Sequence, residues 1–167
     1  MEKSVIDKLL RHMQWSNSIL FNFLSDSTDE VLNLYGWDEN WSIGKIANHI
    51  VIAQERYVSR LQGITSIKDI YEPHTVEGMK ALGIRSAKND ELLNSFSNME
   101  ERDISFNQNG NDVTFSSWTI IAQAIHHATE HRAQIDDVLS FRKVKNINLD
   151  LIDIWSFERY KNQIHNG

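Results

Sequence analysis

One proline, Pro73, and seven glycines in 167 residues leave most of this chain free of the side chains that end helices. Proline removes an amide donor and clashes with the preceding turn, and glycine costs about 1 kcal/mol in a helix interior. Long uninterrupted helices are therefore expected, and the apolar residues carry the matching period. From about 4 to 24, Ile6, Leu9, Leu10, Met13, Ile19, Leu20, Phe23 and Leu24 recur at three- and four-residue intervals and line one helical face.

The second helix has a sharper start. In Trp41-Ser42-Ile43-Gly44-Lys45-Ile46, the Ser42 hydroxyl is placed to accept free amides and Trp41 to staple onto Ile46. Ile46, Ile50, Ala53, Tyr57 and Leu61 form its inward stripe, and Gly63 can end it in the left-handed conformation. After the Pro73 loop the pattern weakens, but Leu92, Leu93, Phe96 and Met99 behind Asn89-Asp90 predict a third helix with an acidic first turn. Ile104 and Phe106, then Val113 and Phe115, alternate with polar residues on either side of Asn107-Gln108-Asn109-Gly110-Asn111, as in a short hairpin or an extended loop. Phe115, Ser116 and Ile120 repeat the staple-and-cap start, so a fourth helix should run to about 141. A short closing helix or packed tail is expected over 149–162. The resulting fold class is all-α: a four-helix bundle with a short hairpin or loop insertion before the last long helix, in one domain covering 1–167.

The charge balance narrows the functions. A formal net charge of −6 and the lack of a long Lys/Arg run argue against a surface built to neutralise nucleic-acid phosphates. The chain has no cysteine, which excludes disulfides, thiolate zinc sites, iron–sulfur clusters and cysteine nucleophiles, so any metal must be held by imidazole and oxygen. The N-terminus mixes charges where a secretory signal would be apolar, and no stretch approaches eighteen uncharged apolar residues. Neither export nor a membrane partner is expected, and the cytoplasm is the expected location.

The densest chemical signal is Ala124-Ile125-His126-His127-Ala128-Thr129-Glu130-His131, inside the fourth helix. At about 100° per residue, His127 and His131 lie roughly 40° apart and one turn along, so their rings can converge on one ion. His126 points roughly 100° away from His127 and is set aside. Two imidazoles rarely complete a site. On the second helix, His49 stands roughly 60° from Ile46, at the edge of the inward stripe, where it can point between helices. A histidine pair at this spacing also occurs as two half-buried, hydrogen-bonded side chains, and the pattern alone keeps both readings open. His12, His74 and His165 are scattered and expected to be exposed.

Taken together, Trp15, the Trp41-Ser42 helix entry, Asn48-His49-Ile50 and His127-x-x-x-His131-Arg132-x-Gln134-Ile135 resemble the DinB/YfiT-like superfamily of metal-dependent enzymes. The resemblance spans most of the chain. It implies a divalent cation held by one histidine of the second helix and the His-x-x-x-His pair, which maps onto His49, His127 and His131. Where that family often reads His-Arg-Gly-Gln, this chain has Ala133, which keeps the position small. Members differ in activity; some resemble transferases or isomerases that use low-molecular-weight thiols such as bacillithiol, mycothiol or glutathione, and homodimers occur among relatives. The family name refers to damage induction and implies no contact with DNA.

Three neutral histidines suit zinc, nickel, iron or copper and leave positions for water or a small-molecule substrate. The leading expectation is a metal-dependent transferase or hydrolase in which Glu55, Glu130 and Gln134 are candidate proton carriers or partners of the ligands. The alternatives are a non-catalytic metal-binding or stress-response protein whose ion braces two helices, and a dimerising bundle that keeps the histidines without using them.

Overall fold

The computed structural model describes residues 4–64, 67–108 and 110–165. In chain order the elements are α1 (Val5–Ser25), the short α2 (Asp29–Leu32), α3 (Ile43–Gln62), α4 (Val76–Ser95), β1 (Asp103–Gln108), β2 (Asn111–Ser116), α5 (Ser117–Phe141) and α6 (Ile154–His165). The four long helices pack around a shared interior: α1 lies against α4 and α5, and α3 against both as well. No described helix is long and apolar enough to cross a membrane.

Local chemistry sets the helix ends. Ser4, Ser42, Thr75 and Ser116 each precede a long helix, and each side-chain oxygen accepts from an amide in the first turn. Gly63 closes α3 at φ 75°, a conformation that side chains with a Cβ adopt at a cost. Among the described residues the fold is mostly helical and not strictly all-α. β1 and β2 pair antiparallel, with Ile104 opposite Phe115 and Phe106 opposite Val113, because the two-residue alternation of 104–106 and 113–115 suits a strand. Gly110 takes the positive φ, 87°, that the turn needs; Asn109 lies outside the described residues.

The third helix differs from the sequence expectation. It starts from the Thr75 cap and ends at Ser95, so Asn89 and Asp90 belong to its last turns instead of its first. Its apolar stripe, Met79, Leu82 and Leu93, is thin because Ser86, Asn89 and Asp90 are buried beside it, and buried polar residues erase the helical period. Phe96 and Met99 pack on the core from beyond the helix end.

Ser86 and Asp90 belong to a hydrogen-bonded layer across the interior. On one side lies an apolar cluster that includes Leu20, Leu24, Ile46, Ile50, Met79, Leu82, Ile135 and Leu139. On the other lies a second, with Leu10, Met13, Val58, Leu61, Leu93, Ile121 and Ala124. Between them Asp90 of α4 accepts from Asn17 Nδ2 of α1 at 3.1 Å and from Gln54 Nε2 of α3 at 2.8 Å. Ser86 donates to Gln54 Oε1 at 3.1 Å, and Arg132 Nη1 of α5 donates to Asn17 Oδ1 at 2.6 Å. All four long helices meet in this network. Burial pushes the Asp90 carboxyl up to about 7 and the Arg132 guanidinium down to about 10, since each charge has left water for a site where only its partners stabilise it.

Removing one member strands the other. Asp90→Ala is expected to destabilise the protein by about 3–5 kcal/mol. Asp90→Ala combined with Arg132→Met should cost less than the two single changes together, by about 0.5–3 kcal/mol. Urea unfolding of the four proteins checks both; strictly additive losses would show that the two charges are not coupled.

Candidate metal centre

At the level of the polar layer, α3 and α5 bring three imidazoles to one point. His127 Nε2 lies 3.0 Å from His49 Nε2 and 3.1 Å from His131 Nε2. One ligand atom from each of the three falls within 4.8 Å of the others, and a group of this kind could hold a metal ion. All three side chains are half-buried. His127 and His131 share a face of α5 because they are one turn apart, and His49 reaches them because α3 packs directly on α5.

The donor set fits a cation better than a hydrogen-bonded cluster. His131 Nδ1 is 2.7 Å from Gln134 Oε1, and Trp41 Nε1 donates to the same oxygen at 3.3 Å. An indole N–H can only donate and an amide oxygen can only accept, so Gln134 presents its oxygen and the His131 proton resides on Nδ1. In the neutral ring this leaves Nε2 as a bare lone pair directed at His127. A proton on His127 Nε2 would serve His131 but leave that nitrogen nothing with which to accept from His49. A proton on His49 would leave His127 and His131 facing each other with two lone pairs. Protons on neutral rings thus leave the pair of contacts poorly satisfied, whereas a cation among the nitrogens attracts every lone pair. Tetrahedral nitrogen ligands at zinc distances are about 3.3 Å apart, close to the spacing found.

Electrostatics favour the ligand state. Burial, with His131 and His49 as further contributors, holds His127 down at about 3. His49 is also lowered, chiefly by burial and then by His131, Arg56 and Lys45. Neutral imidazole is the form a metal requires. Trp41 covers the cluster edge-on, its ring 5.3 Å from that of His49 and 6.1 Å from that of His131. Tyr57 stands 5.8 Å from the His127 ring on another side.

The remaining candidates disperse. Glu55 is occupied by Arg85, whose Nε and Nη2 donate to its two oxygens at 2.9 Å, and Arg85 also reaches Glu72. Glu130 is exposed on α5 and forms no ion pair among the described residues. Gln134 alone of the three touches the cluster. His126 is exposed and lies apart. His12 and His74, expected to be exposed, are half-buried: His12 Nε2 sits 2.9 Å from the Ile152 carbonyl, and His74 Nδ1 sits 3.3 Å from Ser42 Oγ. Both serve packing between segments that are distant in sequence, which helical periodicity does not register. The sequence pattern places Trp41 and Tyr57 on the buried side of α3 and its entry, but gives no sign that they wall the site.

The model of the DinB family matches residues 1–142, a span that holds the three histidines, Gln134 and the four long helices and ends before α6. No curated protein matches the chain.

Gln134 fixes the tautomer and orientation of His131. Gln134→Leu is therefore expected to weaken zinc binding by about 10–100-fold while the three histidines stay in place, and Gln134→Glu, which keeps an acceptor, to weaken it less. Competition titration against a chromophoric chelator measures this; unchanged affinity in Gln134→Leu would remove Gln134 from the centre.

Proposed function

From a chain that belongs to the DinB family, we propose a divalent-metal protein in which His49, His127 and His131 hold one ion and leave part of its coordination open for a small molecule. The observation that carries this reading is the composition of the group. Three histidines converge, and among the described residues no fourth His, Cys, Asp or Glu joins them. A closed structural site has four protein ligands; a site with three supports chemistry at the remaining position. Three neutral ligands also leave the full charge of the ion uncompensated by protein, which favours an anionic or deprotonated fourth partner.

A bound ion of this kind supplies Lewis acidity, lowering the pKa of a water or thiol placed on it. The chain's own residues do the positioning. Gln134, held by Trp41, aims the His131 lone pair inward. Trp41 and Tyr57 shield the cluster from bulk water on two sides. With Glu55 tied to Arg85, proton traffic falls to the incoming molecule and solvent rather than to a carboxylate of the chain. A protein without cysteine that presents an open metal suits a reaction in which the attacking group arrives with a cosubstrate, and a thiol-dependent transferase is the reaction class we favour over hydrolysis. Zinc, nickel and iron all suit the donor set.

Metal analysis of protein purified without a histidine tag tests the first step. After reconstitution with zinc, nickel, iron or manganese, about one ion per chain is expected for at least one metal. Alanine at His49, His127 or His131 should each lower occupancy sharply, and free metal at 100 times its dissociation constant should stabilise the wild type by about 2.7 kcal/mol. Negligible occupancy with every metal, or full occupancy in all three variants, would overturn the assignment.

A further inference from the structure

Beside the histidine cluster, the β1–β2 hairpin, α3 and the start of α5 line an open cavity of about 280 Å³. Its walls include Tyr57, Arg60, Phe106, Phe115, Thr119 and Gln123. Arg60 differs from every other arginine among the described residues. Arg11, Arg56 and Arg85 are paired with carboxylates. Arg102, Arg132, Arg142 and Arg159 each donate to a carbonyl, amide or hydroxyl oxygen. The half-buried Arg60 guanidinium does neither. It lies 4.1 Å from the Phe106 ring centre and 5.9 Å from that of Tyr57, so aromatic faces fix its place without neutralising it. Burial, and then the nearby Arg56, lower its pKa with no carboxylate among the described residues close enough to offset them, and Arg56 is itself paired with Asp69.

A partly desolvated guanidinium whose donors lack partners among the described residues is ready for an anion from outside the chain. One cation with a planar fork matches the single charge and two oxygens of a carboxylate. The cavity borders the metal centre at one side chain: the Tyr57 ring in its wall stands 5.9 Å from the guanidinium and 5.8 Å from the His127 ring. Phe106 and Phe115, whose ring centres are 5.9 Å apart, provide apolar surface for the carbon chain of a bound molecule.

We propose that this cavity seats a carboxylate of the small molecule whose other end reaches the three-histidine centre, and that Arg60 selects for it; the inference rests on the metal assignment made above. It gives the hairpin a function, as the wall that holds Arg60 over Phe106.

The test uses the full chain loaded with cobalt(II), whose sulfur-to-metal charge-transfer band reports thiolate binding. Straight-chain mercaptocarboxylates of increasing length are titrated against mercaptoalcohols of the same length. At the chain length that spans the two points, the carboxylate should bind at least about tenfold more tightly than the alcohol, the scale of one charge-assisted bidentate contact. Arg60→Gln should abolish that preference and leave cobalt content and mercaptoalcohol affinity unchanged, while Arg60→Lys should retain part of it. Cobalt uptake with no thiolate band, with equal affinities at every length, or with the preference intact in Arg60→Gln overturns the carboxylate seat alone. Failure of the wild type to take up cobalt as well as zinc, nickel, iron and manganese overturns the metal assignment and this inference with it.

Discussion

Asp90, buried among Asn17, Gln54 and Ser86 and linked through Asn17 to Arg132, is the point at which all four long helices are tied together. Apolar packing alone specifies helix register weakly, because leucines and isoleucines tolerate a shift of one turn. A buried hydrogen-bonded layer does not. Any slip would leave a carboxylate, a guanidinium and two amides without partners in a low-dielectric interior, where each unsatisfied group costs about 1–3 kcal/mol and a charge costs more. The two apolar clusters on either side supply most of the stability, and the layer between them sets the alignment. That alignment decides which residue of α3 faces His127.

The histidine centre inherits this precision. His49 comes from α3 and its two companions from α5, so the approach of the three nitrogens reports how those helices are docked. Arg132 follows His131 directly in sequence and is buried in the polar layer, while His131 turns toward its cluster. One turn of α5 therefore contributes both to the brace and to the site. Gln134 then fixes the last degree of freedom, the tautomer, with Trp41 holding the amide. Short-range and long-range constraints meet on the same few residues, an arrangement suited to a preorganised metal site.

Much of this was legible in the amino-acid order, and the reasons are physical. Ser42, Gly63 and Ser116 act within one turn of their own positions, so the ends of α3 and the start of α5 could be read locally. His127 and His131 announced themselves through a spacing that only a helix makes meaningful. His49 was harder: its place on a helical wheel shows that it can point inward, but which helix it meets is a tertiary fact, and the family resemblance was what joined it to the pair. The course of α4 differs from the one its apolar residues predict because Ser86, Asn89 and Asp90 are polar and buried, the combination that defeats a hydrophobic period. Two of them, Ser86 and Asp90, belong to the brace. Arg60 carries no signal at all, since an arginine on a helix is usually solvated; its lack of a partner among the described residues and its seat against two rings appear only in three dimensions.

A metal centre of the kind proposed requires these three imidazoles to be bonded directly to one ion. X-ray absorption spectroscopy at the metal edge of the zinc-loaded protein measures that most directly. Three nitrogen scatterers at about 2.0–2.1 Å with the outer-shell pattern of imidazole rings are expected, together with at least one further light atom from solvent. A shell of oxygen alone, or one imidazole or none per zinc, would rule out His49, His127 and His131 as the joint ligands.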